Sequence, residues 1–415
     1  MIFKGLFDFK REIKIQWRII APILFLIFMG FLILSSTSGY ASFVTSTFYK
    51  QILWLAVGLV AFIVMQYVRI QYLYDYSYIL YISLFFLLCL TFISPVIEGA
   101  QRWIIIGPFF FQPSEFGKII YIICLSRFFS DNRNKNKFSF YIIIVLLLSV
   151  IPPLLVFIQP DLGTAILYLS IIIPLLFWSN FNGRLIFLMT APIFSVVTVA
   201  LAEYYQYLFI FYVWMVIFLL FLFYSRFKMI TVFSNFVINV MIGLSGPLIW
   251  SNILAQHHRD RIIFYLDPFK EPLGRGYQAI QSWISIGSGG MWGKGLGNGT
   301  QKSLNFLPVK DTDFIISVLS EELGFISIFF LLLAVLFFIY WVLEYLVKIE
   351  SNYSSLLLLG FSSLIFMHII INMSIVSGLL PITGLPVPFI SYGGSFFLTC
   401  SILIGLSNNI INNDI

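Results

Sequence analysis

Carboxylates and cations set inside or beside long apolar runs are the residues of this chain that could do chemistry. Glu115 and Lys118 stand just behind Gln112-Pro113-Ser114. Pro113 suits the first turn of a helix, which places Glu115 and Lys118 one turn apart on one face. Such a pair is either a local ion pair that lets a helix start inside a bilayer, or a site where Lys118 binds a phosphate while Glu115 orients it or holds a metal. Arg102 and Trp103 precede this segment. Asp161 follows Gln159-Pro160 and leads into Leu162-Gly163-Thr164, where a helix N-cap is the plainer reading. Asp311-Thr312-Asp313-Phe314 opens a run that carries Glu321 and Glu322, and Asp313, Ser317, Ser320 and Glu321 share one helical face. Capping by Asp311 or Thr312 explains part of this pattern, but not a polar stripe that leads into an apolar segment. A carboxylate there could take a proton while nearby cations hold an anionic group.

The elements that must hold these residues are membrane spans. The chain has 415 residues, 60% hydrophobic, 19% aromatic and 10% charged. Soluble domains carry about 25% charged residues, and the mean hydropathy here is +0.98. These figures exclude a soluble enzyme, a disordered chain and a DNA-binding module. The net charge of +6 fits membrane topology and anionic headgroups better than nucleic acid. A spanning helix needs about 20 mostly apolar residues. Twelve segments qualify, near 19–36, 51–67, 76–96, 113–129, 139–158, 163–179, 185–202, 206–224, 231–254, 313–343, 353–378 and 388–408. The expected fold is an all-α integral membrane protein, a polytopic bundle of about 12 transmembrane helices with one long extracytoplasmic loop, residues 255–312.

Basic residues give the orientation. Lys4, Lys10, Arg11, Lys14 and Arg18 precede the first span, and the later cations fall mostly in alternate loops, which places both termini in the cytoplasm. The 255–312 loop lies outside yet holds Arg259, Arg261, Lys270, Arg275, Lys294, Lys302 and Lys310. Long loops translocate largely regardless of charge, and a basic surface for an anionic substrate fits equally well. Glu115, Asp161, Asp260, Asp267, Glu271, Asp311, Asp313, Glu321 and Glu322 all map to this outer side. An ionisable group within a span costs about 2.5–3.5 kcal/mol, so the cluster implies an outward-facing polar cavity.

Other features carry less. Gly287 to Gly299 looks superficially like a phosphate loop, but Gly293-Lys294 is followed by Gly295 rather than Ser or Thr, and no strand precedes it. Ala279 to Ile286 reads as a short interfacial helix with Tyr277, Ile280 and Trp283 or Ile284 facing lipid. Cys89, Cys124 and Cys400 support neither a disulfide framework nor a zinc site, and His257, His258 and His368 form no metal motif.

Taken in order, the four polar segments and the closing Pro388-Phe-Ile-Ser-Tyr-Gly-Gly-Ser395 resemble the SEDS family (shape, elongation, division, sporulation) of bacterial cell-wall polymerases. The resemblance runs from about residue 19 to residue 408. Gln159-Pro-Asp-Leu-Gly-Thr and Gly384-Leu-Pro-Val-Pro-Phe are most similar to its elongation-type members. The resemblance implies a single membrane domain over 1–415 and a peptidoglycan glycosyltransferase. Such an enzyme polymerises lipid II at the outer face of the bacterial inner membrane, during cell elongation and rod-shape maintenance. It implies Asp313, in Thr312-Asp313-Phe314, as the catalytic aspartate, with Arg102, Trp103, Glu115, Lys118 and Asp161 at further functional positions. Arg102, Trp103, Lys118 and the loop cation Arg261 are then candidates to bind substrate, and Glu115 and Asp161 to hold a divalent cation, Mg or Mn. The implied partners are a class B penicillin-binding protein and the elongation machinery. The family's usual ten spans leave residues 185–224 as a two-helix insertion. Its usual His before Thr-Asp is Asp311 here, whose like charge would raise the pKa of Asp313.

That chemistry fits the inventory. A sugar hydroxyl attacks an anomeric carbon bearing a lipid diphosphate. A base takes the hydroxyl proton, and cations stabilise the departing diphosphate. A flippase for the same lipid-linked precursor is the alternative, and it would place its binding groups near the midplane with access from both sides.

Overall fold

The computed structural model describes residues 6–9, 12–38, 46–96, 100–106, 109–132, 138–225, 227, 229–248, 256–274, 276–300 and 309–414; among these, the side chains of 106, 109, 110, 138–143, 247, 248, 256–258, 261 and 262 are not described. Backbone amides have no water partner in a bilayer, so apolar runs must satisfy them internally, and helices result. In chain order these are α1 (Trp17–Ser38), α2 (Thr47–Gln66), α3 (Ile70–Leu90), α4 (Pro113–Asn132), α5 (Phe138–Ile158) and α6 (Leu162–Trp178). There follow α7 (Gly183–Tyr205), α8 (Phe209–Tyr224), α9 (Met229–Leu248), α10 (Gln256–Leu266) and α11 (Tyr277–Gly289). The chain ends with α12 (Ile315–Lys348), α13 (Asn352–Val376) and α14 (Gly394–Asn413). A helix stands at each predicted span, and among the described residues eight are long and apolar enough to cross a membrane. The protein is a polytopic helical membrane protein.

Two features depart from the sequence reading. Ile104–Ile106 (β1) and Phe109–Phe111 (β2) pair antiparallel, with Ile104 opposite Phe111. β-Branched and aromatic residues suit this pairing, but strands this short show no usable alternation, so an all-α reading passes over them. The pairing brings Arg102 and Trp103, before β1, to the same open end as Gln112 and Pro113, after β2. The second departure is a break in α12 at Gly324, where φ is 71° and ψ is −174°. The stretch 315–323 is therefore a separate half-helix, and the span proper begins at Phe325.

The chain divides into two compact units, Met1–Leu175 with Gln278–Ile415, and Leu176–Tyr277. In the second, α7, α8 and α9 pack on one another around Leu188, Ala191, Phe218, Leu222 and Val232. Ser195 ties this core together, donating to Asn239 Oδ1 at 2.5 Å and accepting from Trp214 Nε1 at 2.8 Å. In the first unit α13 sits against α4, α12 and α14, while α2 runs along α14. Gly405 permits that approach, since a Cβ there would stand 2.9 Å from Met65 Cβ and 3.0 Å from the Phe62 carbonyl oxygen.

At the terminal end of this unit, amide side chains replace water. Gln66 Nε2 donates to the Gly405 carbonyl at 3.1 Å, and Asn408 Nδ2 donates to Gln66 Oε1 at 2.8 Å. Asn409, wholly buried, donates to the carbonyls of Met65 and Val68, both at 2.7 Å, and so closes the end of α2. Leaving both carbonyls without a donor should cost about 1–3 kcal/mol. Asn409→Ala should therefore lower the denaturation midpoint of the purified protein in detergent. Asn413→Ala, at an exposed position, should change stability by no more than about 0.5 kcal/mol.

Candidate active site

The first turn of α4 places Glu115 and Lys118 as their spacing requires. Lys118 Nζ donates to Glu115 Oε2 at 2.9 Å, and neither side chain has appreciable exposure. A second partner comes from α13, where His368 Nε2 lies 3.0 Å from Lys118 Nζ. An ammonium group only donates, so Nε2 accepts and the ring proton resides on Nδ1 of a neutral imidazole. The ring of Phe396, at the start of α14, completes the enclosure, with Lys118 Nζ 5.6 Å from its centroid. A small cavity lies here, lined by Lys118, Ile365, His368, Pro388, Phe396 and Cys400.

Asp161 caps α6. Its Oδ1 accepts from the Thr164 amide at 3.3 Å, while Oδ2 accepts from Gln112 Nε2 at 2.9 Å. The residue before α4 is thereby tied to the residue before α6, and Tyr168 adds a bond from its hydroxyl to the Ser114 carbonyl at 2.9 Å. These bonds fix the first turn of α4, where Glu115 and Lys118 sit.

Asp313 stands in the turn before the half-helix. The N-cap there is Phe314, with no side-chain cap bond, so Asp313 does not cap the helix. Its backbone is held instead. Asn372, one turn after His368 on α13, donates from Nδ2 to the Asp313 carbonyl at 2.9 Å and to the Leu385 carbonyl at 2.5 Å. Ser391 Oγ donates to the Thr312 carbonyl at 2.6 Å, and the Tyr392 amide to the Asp311 carbonyl at 2.8 Å. Gly384 faces the carboxylate closely, since a Cβ there would stand 3.4 Å from Asp313 Oδ2. Burial pushes the Asp313 carboxyl up to about 6, against the lowering effects of a hydrogen bond from Thr312 and the charge of Arg102. The expectation that Asp311 raises it is corrected. Asp311 turns its Oδ2 to Thr47 Oγ1 at 2.9 Å, and desolvation does the raising.

Segment 383–391 joins these parts. It meets Asp313 at Gly384, α13 through Asn372, and the Lys118 cavity at Pro388. It also meets the start of α6, where a Cβ at Gly163 would stand 2.8 Å from the Thr383 carbonyl oxygen. Arg102 acts electrostatically on Asp313 and lies 6.0 Å from the Trp103 ring centroid. Arg261 falls on α10, and its side chain lies outside the described residues. The predicted polar stripe is used differently. Ser317 and Glu321 bond to Ser282 and Ser285 of α11 and so pack two helices together, rather than lining a cavity. Sequence reasoning missed His368 and Asn372, although polar residues four apart in an apolar run were the available signal.

Glu115 and Asp161 do not offer a divalent cation a donor set. The Lys118 ammonium occupies Glu115, and Asp161 is engaged as a cap. Among the described residues no three His, Cys, Asp or Glu side chains converge.

The comparisons with known proteins agree with one another. A family model described as a cell cycle protein, covering FtsW, RodA and SpoVE, matches residues 16–214 and 209–414. The peptidoglycan glycosyltransferase MrdB of Escherichia coli K12 is 33% identical over 348 residues, covering 82% of this chain and 79% of its own. The peptidoglycan glycosyltransferase RodA of Treponema pallidum is 29% identical over 405 residues, covering 91% of this chain and 92% of its own. Among solved structures, a chain of a peptidoglycan synthase complex that coordinates polymerization and crosslinking superposes with a TM-score of 0.71 at 23% identity. That match covers 96% of this chain and 98% of the other, which fixes the fold. With the family pattern running from residue 16 to residue 414 and ordered motifs placed on a matching helical fold, this chain belongs to the SEDS family.

Proposed function

We propose that this protein is a peptidoglycan glycosyltransferase that polymerises lipid II into glycan strands, with Asp313 as the general base. The observation that carries the reading is the Asp313 carboxylate. It caps nothing, is held by its backbone, and is raised to about 6. A base works best when its pKa lies near the operating pH. In the transfer, the acceptor sugar hydroxyl loses its proton to Asp313 as its oxygen bonds to the anomeric carbon. The bond from that carbon to the diphosphate oxygen breaks on the opposite face, so configuration inverts. Arg102 is the cation that acts on Asp313, and in this reading it opposes the diphosphate's charge. Lys118 is enclosed by Glu115, His368 and Phe396, so it contributes the field of a fixed ion pair in a low-dielectric interior, where such a field is strongest. The named relatives are peptidoglycan glycosyltransferases, which favours transfer over transport of the same lipid.

The same reading places the Asp313 end outside the bacterial inner membrane with both termini in the cytoplasm, as the loop charges require. It makes a class B penicillin-binding protein of the elongation machinery the partner that crosslinks the new strands. The support is the named relatives and the synthase complex whose chain this fold resembles. Helices α7 and α8 stand in this reading as an insertion that packs on α9.

The test is polymerisation of lipid II by the purified protein. Asp313→Asn keeps size and hydrogen bonding but removes proton acceptance, so the rate should fall by about 10²–10⁴-fold at equal folded protein. Asp311→Asn should stay within about tenfold of native, because it leaves the base in place. Activity kept in the first and lost in the second would move the base to Asp311. Lys118→Met should destabilise the fold by about 3–5 kcal/mol, since it leaves a buried carboxylate alone. Adding Glu115→Gln should recover most of that stability but not the rate. Recovery of both would make the pair structural only.

A further inference from the structure

The glycine-rich stretch 287–299 and the acids Glu321 and Glu322 have no part in the transfer above, but the structure joins them. Glu321 is wholly buried. Its Oε1 accepts from Lys294 Nζ at 2.7 Å, the Thr300 amide at 2.8 Å and the Thr300 hydroxyl at 2.7 Å, and its Oε2 accepts from Ser285 at 3.4 Å. Glu322 Oε2 accepts from Ser36 at 2.6 Å and from the Gly297 amide at 3.1 Å.

The backbone continues the junction. At the break the half-helix ends with carbonyls that lack helical donors, and the next helix starts with amides that lack acceptors. The Lys294 and Gly295 amides donate to the carbonyls of Glu321 and Glu322, each at 2.9 Å. The Phe325 and Ile326 amides donate to the carbonyls of Gly290 and Met291, at 2.9 and 3.2 Å. Gly293 and Gly324, both at positive φ, face each other so closely that a Cβ on either would overlap the other's backbone. The stretch is thus a splice across a broken helix, built to hold both broken ends.

We propose that Lys294, through Glu321, is a positioning residue for Asp313. The half-helix 315–323 spans about 13 Å at 1.5 Å per residue, with Asp313 just before one end and Glu321 near the other. It is pinned near the Asp313 end, where Ser282 and Ser285 of α11 bond to Ser317 and Asn372 holds the Asp313 carbonyl. A rigid helix fixed at one end still tilts unless its second end is held. The splice bonds hold it, with the Lys294–Glu321 ion pair at their centre, and so set how deeply Asp313 is buried beside Gly384. This rests on Asp313 being the base.

The test is steady-state polymerisation of lipid II by the full chain against pH, with melting temperature as the measure of folding. Lys294→Met should lower kcat by about 10- to 100-fold, as loss of positioning does, with KM within about threefold. Its acid limb should move below that of the native protein, because a less buried carboxylate ionises more easily. The groups about Asp313 that bear on this limb are Arg102, from the segment before the hairpin, and the Thr312 hydroxyl, while Asp311 of its own loop turns to Thr47. Asn372 of α13 and Gly384 are neutral. Lys294→Arg keeps a charged donor for Glu321 and should restore the native limb and most of kcat. Where Lys294→Met fails to fold, Thr300→Val, which removes one hydroxyl and spares the ion pair, should show the same shift in smaller measure. A native limb in the folded variant, whatever its rate, would overturn the proposal. If Asp313→Asn is inactive and Lys294→Met is native in rate and limb, the clamp alone fails. If Asp313→Asn keeps its rate, the base assignment fails with it.

Discussion

Lys118 carries a full positive charge with no exposed surface, and the arrangement around it shows what organises this end of the molecule. A charge taken out of water into an apolar bundle costs several kcal/mol unless partners surround it. Glu115 supplies the counter-charge from the same helix, and His368 supplies an acceptor from α13. Satisfying Lys118 therefore brings α4 and α13 together. Because Asn372 lies one turn along α13, the same contact sets where Asp313 and segment 383–391 come to rest.

The same rule acts at other buried polar points of the first unit. Asp161 and Gln112 tie the starts of α4 and α6. Glu321 gathers Lys294 and Thr300 at a helix break, and Asn409 closes the end of α2. Each is a group that would be left unpaired by a shift of its helix, so together they give the apolar bundle one register. Dispersion among Leu, Ile and Phe holds helices together but does not select one rotation so sharply. Asp313 is the exception. Its side chain is half-buried, no described cation pairs with it directly, and desolvation raises its proton affinity.

Much of this was legible in the sequence, because hydropathy and length decide spans directly. A helix stands at each of the twelve spans that apolar runs predict. The Glu115–Lys118 pair followed from helical spacing, and the Asp161 cap from its place before Leu162. What was not legible depends on distant residues meeting. His368 reaches Lys118 across 250 positions, and no local pattern carries that. The hairpin at 104–111 is too short for periodicity. The break in α12 hides in one glycine within an otherwise continuous helical run, and its meaning appears only when Gly293 is seen against it. The polar stripe Ser317–Glu321 was read as cavity lining from its face alone, and its partners in α11 made it packing instead.

The central claim is that Asp313 is a half-buried, largely desolvated carboxylate whose proton affinity suits it to act as a base near neutral pH. An isotope-edited infrared titration, native protein minus Asp313→Asn, reads that carboxyl directly, without substrate or partner. The account predicts a protonation midpoint near 6. A midpoint at the ordinary aspartate value of about 3.9 would contradict it.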